Sequence, residues 1–232
     1  MKVPDIFVPE KNLEVNIKRL LKESRKPVVA PLEYSGFDVI RGADTYAQGI
    51  AKLKEQGRKP FTFFENVGAR IADYEANGEN SELFGTWLDS VTGIVYKAKS
   101  TKFKIILRSD KLENIPQDFD QSFIPIDYNA EKGIEFDSKK GEYDRLLTRK
   151  EVKNHKFWIA VMGGDKKKLA RYVDFWFDRK KVKEGMGVYL RSNTDSDELR
   201  ALVLGSGDYS SDADGFSLLD YFARFASGAQ RK

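Results

Sequence analysis

Four aspartates, Asp208, Asp212, Asp214 and Asp220, crowd a stretch from Gly205 to Tyr221 that holds no lysine or arginine, in a chain of net charge +4. Carboxylates so placed could ligate a cation, or work in pairs as general acid and base. The run Ser210-Ser211-Asp212-Ala213-Asp214-Gly215 imitates part of a calcium loop, but its twelfth position is Tyr221, where that chemistry needs a bidentate glutamate. Calcium is therefore the minor reading. Nothing in the spacing brings two carboxylates together in a dry site. Gly205-Ser206-Gly207 lacks the third glycine and the following helix of a dinucleotide site, so it reads as a turn. The chain has no cysteine and one histidine, His155, which excludes disulfides, thiolate chemistry and a zinc site built from several histidines. No GxxxxGK, HExxH or GxSxG motif occurs. These residues indicate no catalytic set, no metal and no cofactor.

A second group is basic. Lys97, Lys99, Lys102 and Lys104 alternate beside Tyr96, Phe103 and Ile105, and such a stripe could bind phosphates. The stronger reading is a solvated strand face whose charge blocks edge pairing. His155, among polar neighbours on a helix, reads as a satisfied or exposed side chain rather than a catalytic one.

The elements that must position these residues follow from pattern. Residues 12–22 set Leu13, Ile17, Leu20 and Leu21 on one helical face, and a brief strand follows at 28–32. Asp44 and Thr45 offer caps for a helix over 46–56, with Gly57 just past its end. Thr62-Phe63-Phe64-Glu65 fits a capping box; Phe64, Val67, Ile71 and Tyr74 then recur at helical spacing as far as Asn77-Gly78. Residues 87–99 and 102–107 read as a strand pair, and 114–141 as a long connection carrying small strands. Thr148 and Glu151 form a second capping box, opening a helix predicted to run through Trp158 to about Val161, where Gly163-Gly164 breaks it. Asp165 caps the next helix, whose Leu169, Tyr172, Val173, Trp176 and Phe177 form a core stripe. The apolar runs 186–191 and 199–204 predict a hairpin, and 223–226 a last strand.

Composition sets the outer bounds. At 232 residues, 41% hydrophobic and 12% aromatic, the chain can bury a substantial core as one α+β domain. Forty basic against thirty-six acidic residues is a near balance and argues only weakly for nucleic acid. The N-terminus has no signal-peptide h-region and no run approaches a membrane span, so synthesis in a cytoplasm without membrane insertion is expected.

One compositional test separates the C-terminal segment from the rest. Lys, Glu, Gln, Met and Trp account for 53 of the 232 residues, yet residues 201–229 contain none of them. A Gly/Ser/Asp-rich surface loop is the ordinary explanation. The genetic code supplies a sharper one. An asparagine codon AAC or AAT whose two adenines are freely replaced yields Asp, Tyr, Ser, Phe, Leu, Ala and Gly among others. It never yields Lys, Glu, Gln, Met or Trp.

In its C-terminal third the chain resembles the variable proteins of diversity-generating retroelements. In these, adenine-directed mutagenesis by a reverse transcriptase diversifies a C-terminal segment displayed on a C-type lectin fold, as in the phage major tropism determinant. The archaeal-virus branch is the most similar. The resemblance is carried by the helix with Trp158, by Asp174-Phe175-Trp176-Phe177, Gly187-Val188-Tyr189, residues 199–205, and the closing Ala223-Arg224-Phe225. It implies a C-type lectin-like domain over 1–232 with an N-terminal helical extension, and a variable ligand-binding segment at 206–222. Ser211, Ala213, Gly215, Leu219, Ala223 and Arg224 would be framework, with Leu219 anchored in the core. Tyr209, Ser210, Asp212, Asp214, Phe216, Ser217, Leu218, Asp220, Tyr221 and Phe222 would be diversified outward contacts, with Asp208 at their margin. Burial is the competing reading for Phe216, Leu218 and Phe222.

The expected function is non-enzymatic binding of an unidentified protein or cell-surface ligand, implying a viral or retroelement-encoded receptor-binding protein and a place on a virion surface. Formylglycine-generating enzymes share the fold family but rely on active-site cysteines, which this chain lacks. The rivals are an interaction protein with one fixed partner, a nucleic-acid-binding domain using the lysine stripe, and a hydrolase with a pocket of convergent carboxylates.

Overall fold

The computed structural model of the chain describes residues 38–40, 43, 45–138, 143–191, 194–206, 211–216, 218 and 225–228, with the main chain alone at 38–40, 212, 216 and 225–228. The helix and strand expected at 12–22 and 28–32 lie outside these residues.

The helices form where caps and apolar periodicity coincide. α1 (Tyr46–Glu55) starts at Thr45, whose hydroxyl accepts from the Gln48 amide, and Gly57 takes the positive φ of 66° that turns the chain away. α2 (Phe63–Asn77) opens on the predicted capping box: Thr62 N–H donates to Glu65 at 2.7 Å, and Glu65 N–H donates back to the Thr62 hydroxyl. A short α3 spans Asp110–Glu113. The second box, Thr148 with Glu151, opens α4 (Arg149–Asn154). This helix does not continue to Val161 as expected. His155 swings to an extended ψ of 122° and α5 (Lys156–Val161) restarts beyond it. Asp165 then caps α6 (Lys166–Lys180).

Eleven strands are present among the described residues: β1 Asp38–Ile40, β2 Lys59–Pro60, β3 Gly93–Tyr96, β4 Lys102–Ile106, β5 Ile124–Pro125, β6 Ile134–Asp137, β7 Leu146–Thr148, β8 Glu184–Tyr189, β9 Glu198–Leu204, β10 Ser211–Phe216 and β11 Phe225–Gly228. They make a small antiparallel sheet in the order β1-β11-β2, and a large one in the order β6-β4-β3-β9-β10-β8-β7, with β5 pairing beside β9. The predicted hairpin of 186–191 with 199–204 is therefore corrected. Both strands exist, but β10 lies between them, antiparallel to β9 and parallel to β8.

Strand β9 is buried along its whole length and feeds two cores. Leu202 and Leu204 join Trp158, Trp176 and the stripe Leu169, Tyr172, Val173, Phe177. Leu199 and Ala201, the alternate residues, join Tyr46, Ile50 and Leu53 of α1. Because successive strand residues face opposite ways, the large sheet separates an α2/α5/α6 core from an α1 core. An uninterrupted apolar run such as ALVL is what burial on both faces requires.

Candidate ligand-binding segment

Residues 206–222 are not simply a loop. Their middle, Ser211–Phe216, is strand β10 at the heart of the large sheet. Ser-Asp-Ala-Asp-Gly-Phe has little intrinsic strand preference. It is held as a strand from both sides: Ala213 and Asp214 pair with Leu204 and Val203 of β9, and with Val188 and Tyr189 of β8.

Alternation along β10 divides the residues. Ser211, Ala213 and Gly215 are buried, while Asp214 between them is half-buried. At Gly215 a Cβ would stand 2.2 Å from the phenolic oxygen of Tyr96 and 3.0 Å from a methyl of Ile94, so no side chain fits. The Tyr96 oxygen accepts from the Arg191 amide at 3.3 Å. Burial pushes the Tyr96 phenol well above its ordinary value; donation by Arg191 opposes this and the charge of Asp214 adds to it.

The entrance to β10 is organised by a residue that sequence reasoning missed. Arg70 is fully buried on α2, and its guanidinium reaches six acceptors. Nε donates to Leu83 O at 3.0 Å, and one terminal nitrogen to Thr86 O at 2.6 Å and Leu204 O at 3.1 Å. The other donates to Tyr172 Oη at 2.9 Å, Gly205 O at 3.1 Å and Ser211 Oγ at 3.3 Å. Tyr172 and Ser211 hydroxyls also meet at 2.7 Å, and Ser206 donates to Phe84 O. A signal was present in the sequence: Arg70 falls on the same helical face as Phe63, Val67 and Tyr74, where an exposed arginine would not sit.

At the other end Leu218 is held from two directions. Its amide donates to Ser122 O at 2.9 Å, and its carbonyl accepts from Tyr46 N at the start of α1 at 3.1 Å. The side chain is 1% exposed and belongs to the α1 core. Leu218 is thus corrected from outward contact to anchor, the role expected of its neighbour Leu219. Ser122 O also receives Arg200 at 3.1 Å, and Arg200 is a second buried arginine, paired with Glu198 at 2.8 Å.

Of the other expected contacts, Asp214 is the one whose side chain is described; Asp212 and Phe216 have a described strand backbone. Asp208, Tyr209, Ser210, Ser217, Asp220, Tyr221 and Phe222 lie outside the described residues, as do Leu219, Ala223 and Arg224.

The lysine stripe is drawn into the protein's own contacts. β4 is no edge strand, since β6 pairs with it, which corrects the edge-blocking reading. Lys104 donates to the carbonyls of Tyr128 and Glu131 at 2.8 and 3.0 Å and lies 4.2 Å from the Tyr128 ring centroid. Lys102 pairs with Glu135 at 3.3 Å, and Lys97 also sits over Tyr128. His155 is buried, with its ring perpendicular to that of Tyr143. Among the described residues no cluster of three metal-ligating side chains occurs, and no helix is long and apolar enough to cross a membrane.

No protein-family model matches the chain, and no curated protein matches it by sequence. A solved chain described as showing accommodation of massive sequence variation in Nanoarchaeota by the C-type lectin fold is similar in structure. The TM-score is 0.63 at 15% identity, over 84% of this chain and 98% of that one. At that identity the likeness speaks to architecture alone, and the architecture is plain: this chain has a C-type lectin fold.

Proposed function

We propose that the chain is a non-enzymatic binding protein whose segment 206–222 is diversified by a retroelement and contacts a protein or cell-surface ligand. The observation that carries this reading is the coincidence of composition with strand geometry. The stretch 201–229, free of every residue that NNC and NNT codons cannot encode, runs through β10. There the main chain is held by ladders to β8 and β9 that do not depend on side-chain identity. Positions 211, 213 and 215 are buried, with no room for a side chain at 215, whereas 214 retains exposure. The structural neighbour, described as accommodating massive sequence variation, supports the same reading. Tyr209, Phe216, Tyr221 and Phe222 would supply stiff contact area, and Ser210, Asp212, Asp214, Ser217 and Asp220 adaptable hydrogen bonds, as in an antibody paratope. By the sequence resemblance the carrier would be a virus or retroelement and the site a virion surface.

Sequencing many copies of the gene with their flanking DNA tests this. The expected result is substitution confined to adenine-derived positions between 206 and 222, sparing 211, 213, 215 and 218, with a near-identical template and a reverse transcriptase gene nearby. Even variation without a template would overturn it and leave a lectin-fold protein with one fixed partner. The nucleic-acid alternative is disfavoured because Lys102 and Lys104 are spent on Glu135, Tyr128 and Glu131.

A further inference from the structure

Two fully buried arginines bear on the two ends of β10, Arg70 directly and Arg200 through an acceptor it shares with Leu218. Arg70 binds Leu204 O and Gly205 O, where β9 ends, and Ser211 Oγ, where β10 begins. Arg200 binds Ser122 O, the carbonyl that also receives the amide of Leu218 two residues beyond β10. We infer that Arg70 and Arg200 are positioning residues for ligand binding, fixing both ends of β10 so that the geometry of the binding surface does not depend on the residues it carries. This rests on the diversified-surface reading above.

The physical case begins with cost. A buried guanidinium is tolerated only when its donors are satisfied. Arg200 is compensated by Glu198. Arg70 has no carboxylate among its six acceptors: four are main-chain carbonyls and two are the hydroxyls of Tyr172 and Ser211. For core stability alone an apolar side chain would serve at least as well, since buried charges seldom add net stability. What a planar fork supplies and a hydrocarbon cannot is simultaneous, directional bonding to separate pieces of backbone. Here those pieces are the 83–86 turn, the end of β9 and the start of β10. Carbonyls are the right targets, because they persist whatever side chains neighbouring codons specify. Of the two hydroxyls, one belongs to Tyr172 on α6, and the other to Ser211, buried at 0% exposure. A surface ordered in advance loses less entropy on each encounter, so its affinity is higher for the same contacts.

The test is a display library on the full chain. Positions 208, 209, 210, 212, 214, 216, 217, 220, 221 and 222 are randomised with NNC codons on the parent scaffold, on Arg70→Lys, on Arg200→Lys and on Tyr172→Phe. A fifth scaffold carries Phe136→Leu, a core change on the far edge strand β6, and serves as a destabilised control. All are selected against hen lysozyme as the probe, and thermal melting ranks their stabilities. The expected result is binders from the parent and Phe136→Leu, and about tenfold weaker best affinities from Arg70→Lys and Arg200→Lys at equal or smaller loss of melting temperature. Tyr172→Phe, which keeps the fold's bulk and removes one acceptor, is expected to fall between. Equal affinities from parent and arginine variants, or affinities that simply track melting temperature across all scaffolds, overturn the positioning role and leave the diversified reading intact. No binders from the parent itself would count against that reading, and the inference would fall with it.

Discussion

Gly215 lies beneath the phenol of Tyr96 with no space for a methyl group. Gly215→Ala should therefore destabilise the fold by about 2 kcal/mol through overpacking. Tyr96→Phe should restore part of that, because the nearest ring carbon is 3.1 Å from the Cβ position and the oxygen is 2.2 Å away. Chemical denaturation of the two single variants and the double variant would measure the coupling; simple additivity would mean the contact relaxes without cost. Glu151 gives a second prediction at this scale. Its bond from Arg145, then the amide and hydroxyl of Thr148, hold its carboxyl down to about 2, below the ordinary 4.5. A carboxylate with a lowered folded-state pKa stabilises fully above its unfolded value and loses that contribution as pH falls towards the folded one. The stability of the chain should thus decline between about pH 4.5 and 2 in part through Glu151. Glu151→Gln should flatten that part of the curve, and a profile unchanged by the substitution would refute the assignment.

At the scale of elements, the helices carry their own start signals while β10 does not. Thr62→Ala and Thr148→Ala should each cost about 1 kcal/mol, since each removes a hydroxyl that satisfies a first-turn amide. Equilibrium denaturation would detect this, and a cost below about 0.3 kcal/mol for both would show that the glutamates alone secure the helix starts. The same logic explains where pattern succeeded. Capping boxes and 3.6-residue stripes are local, and α1, α2 and α6 lie close to where they were expected. It also explains the failures. The break at His155 falls in the polar run Lys153-Asn154-His155-Lys156, which holds no proline or glycine to mark a helix end. Ser-Asp-Ala-Asp-Gly-Phe reads as a loop because strand formation there depends on β8 and β9 supplying the ladder.

For the molecule as a whole, β11 is the middle strand of the small sheet, and β1 and β2 both pair with it. Two strands from the first sixty residues thus share one partner that is remote in sequence, at 225–228. Deleting residues 225–232 should leave both without a ladder and lower the melting temperature by at least about 5 °C. A melt within experimental error of the parent would show that the small sheet contributes little.

The amino-acid sequence by itself determined the chemistry that is possible here and the local elements. Without cysteine and with one histidine, several site classes are closed. Its codon-like bias singled out 201–229, and its resemblance pointed to a variable segment at 206–222 on a C-type lectin fold. Tertiary structure alone decided that this segment enters the sheet as β10, that Leu218 points inward, and that Lys104 is occupied by the protein's own carbonyls. The reason is the range of the interactions. Caps and stripes act within a turn or two, whereas strand order, burial and the reach of Arg70 to Ser211 across 141 positions depend on chain segments that only folding brings together.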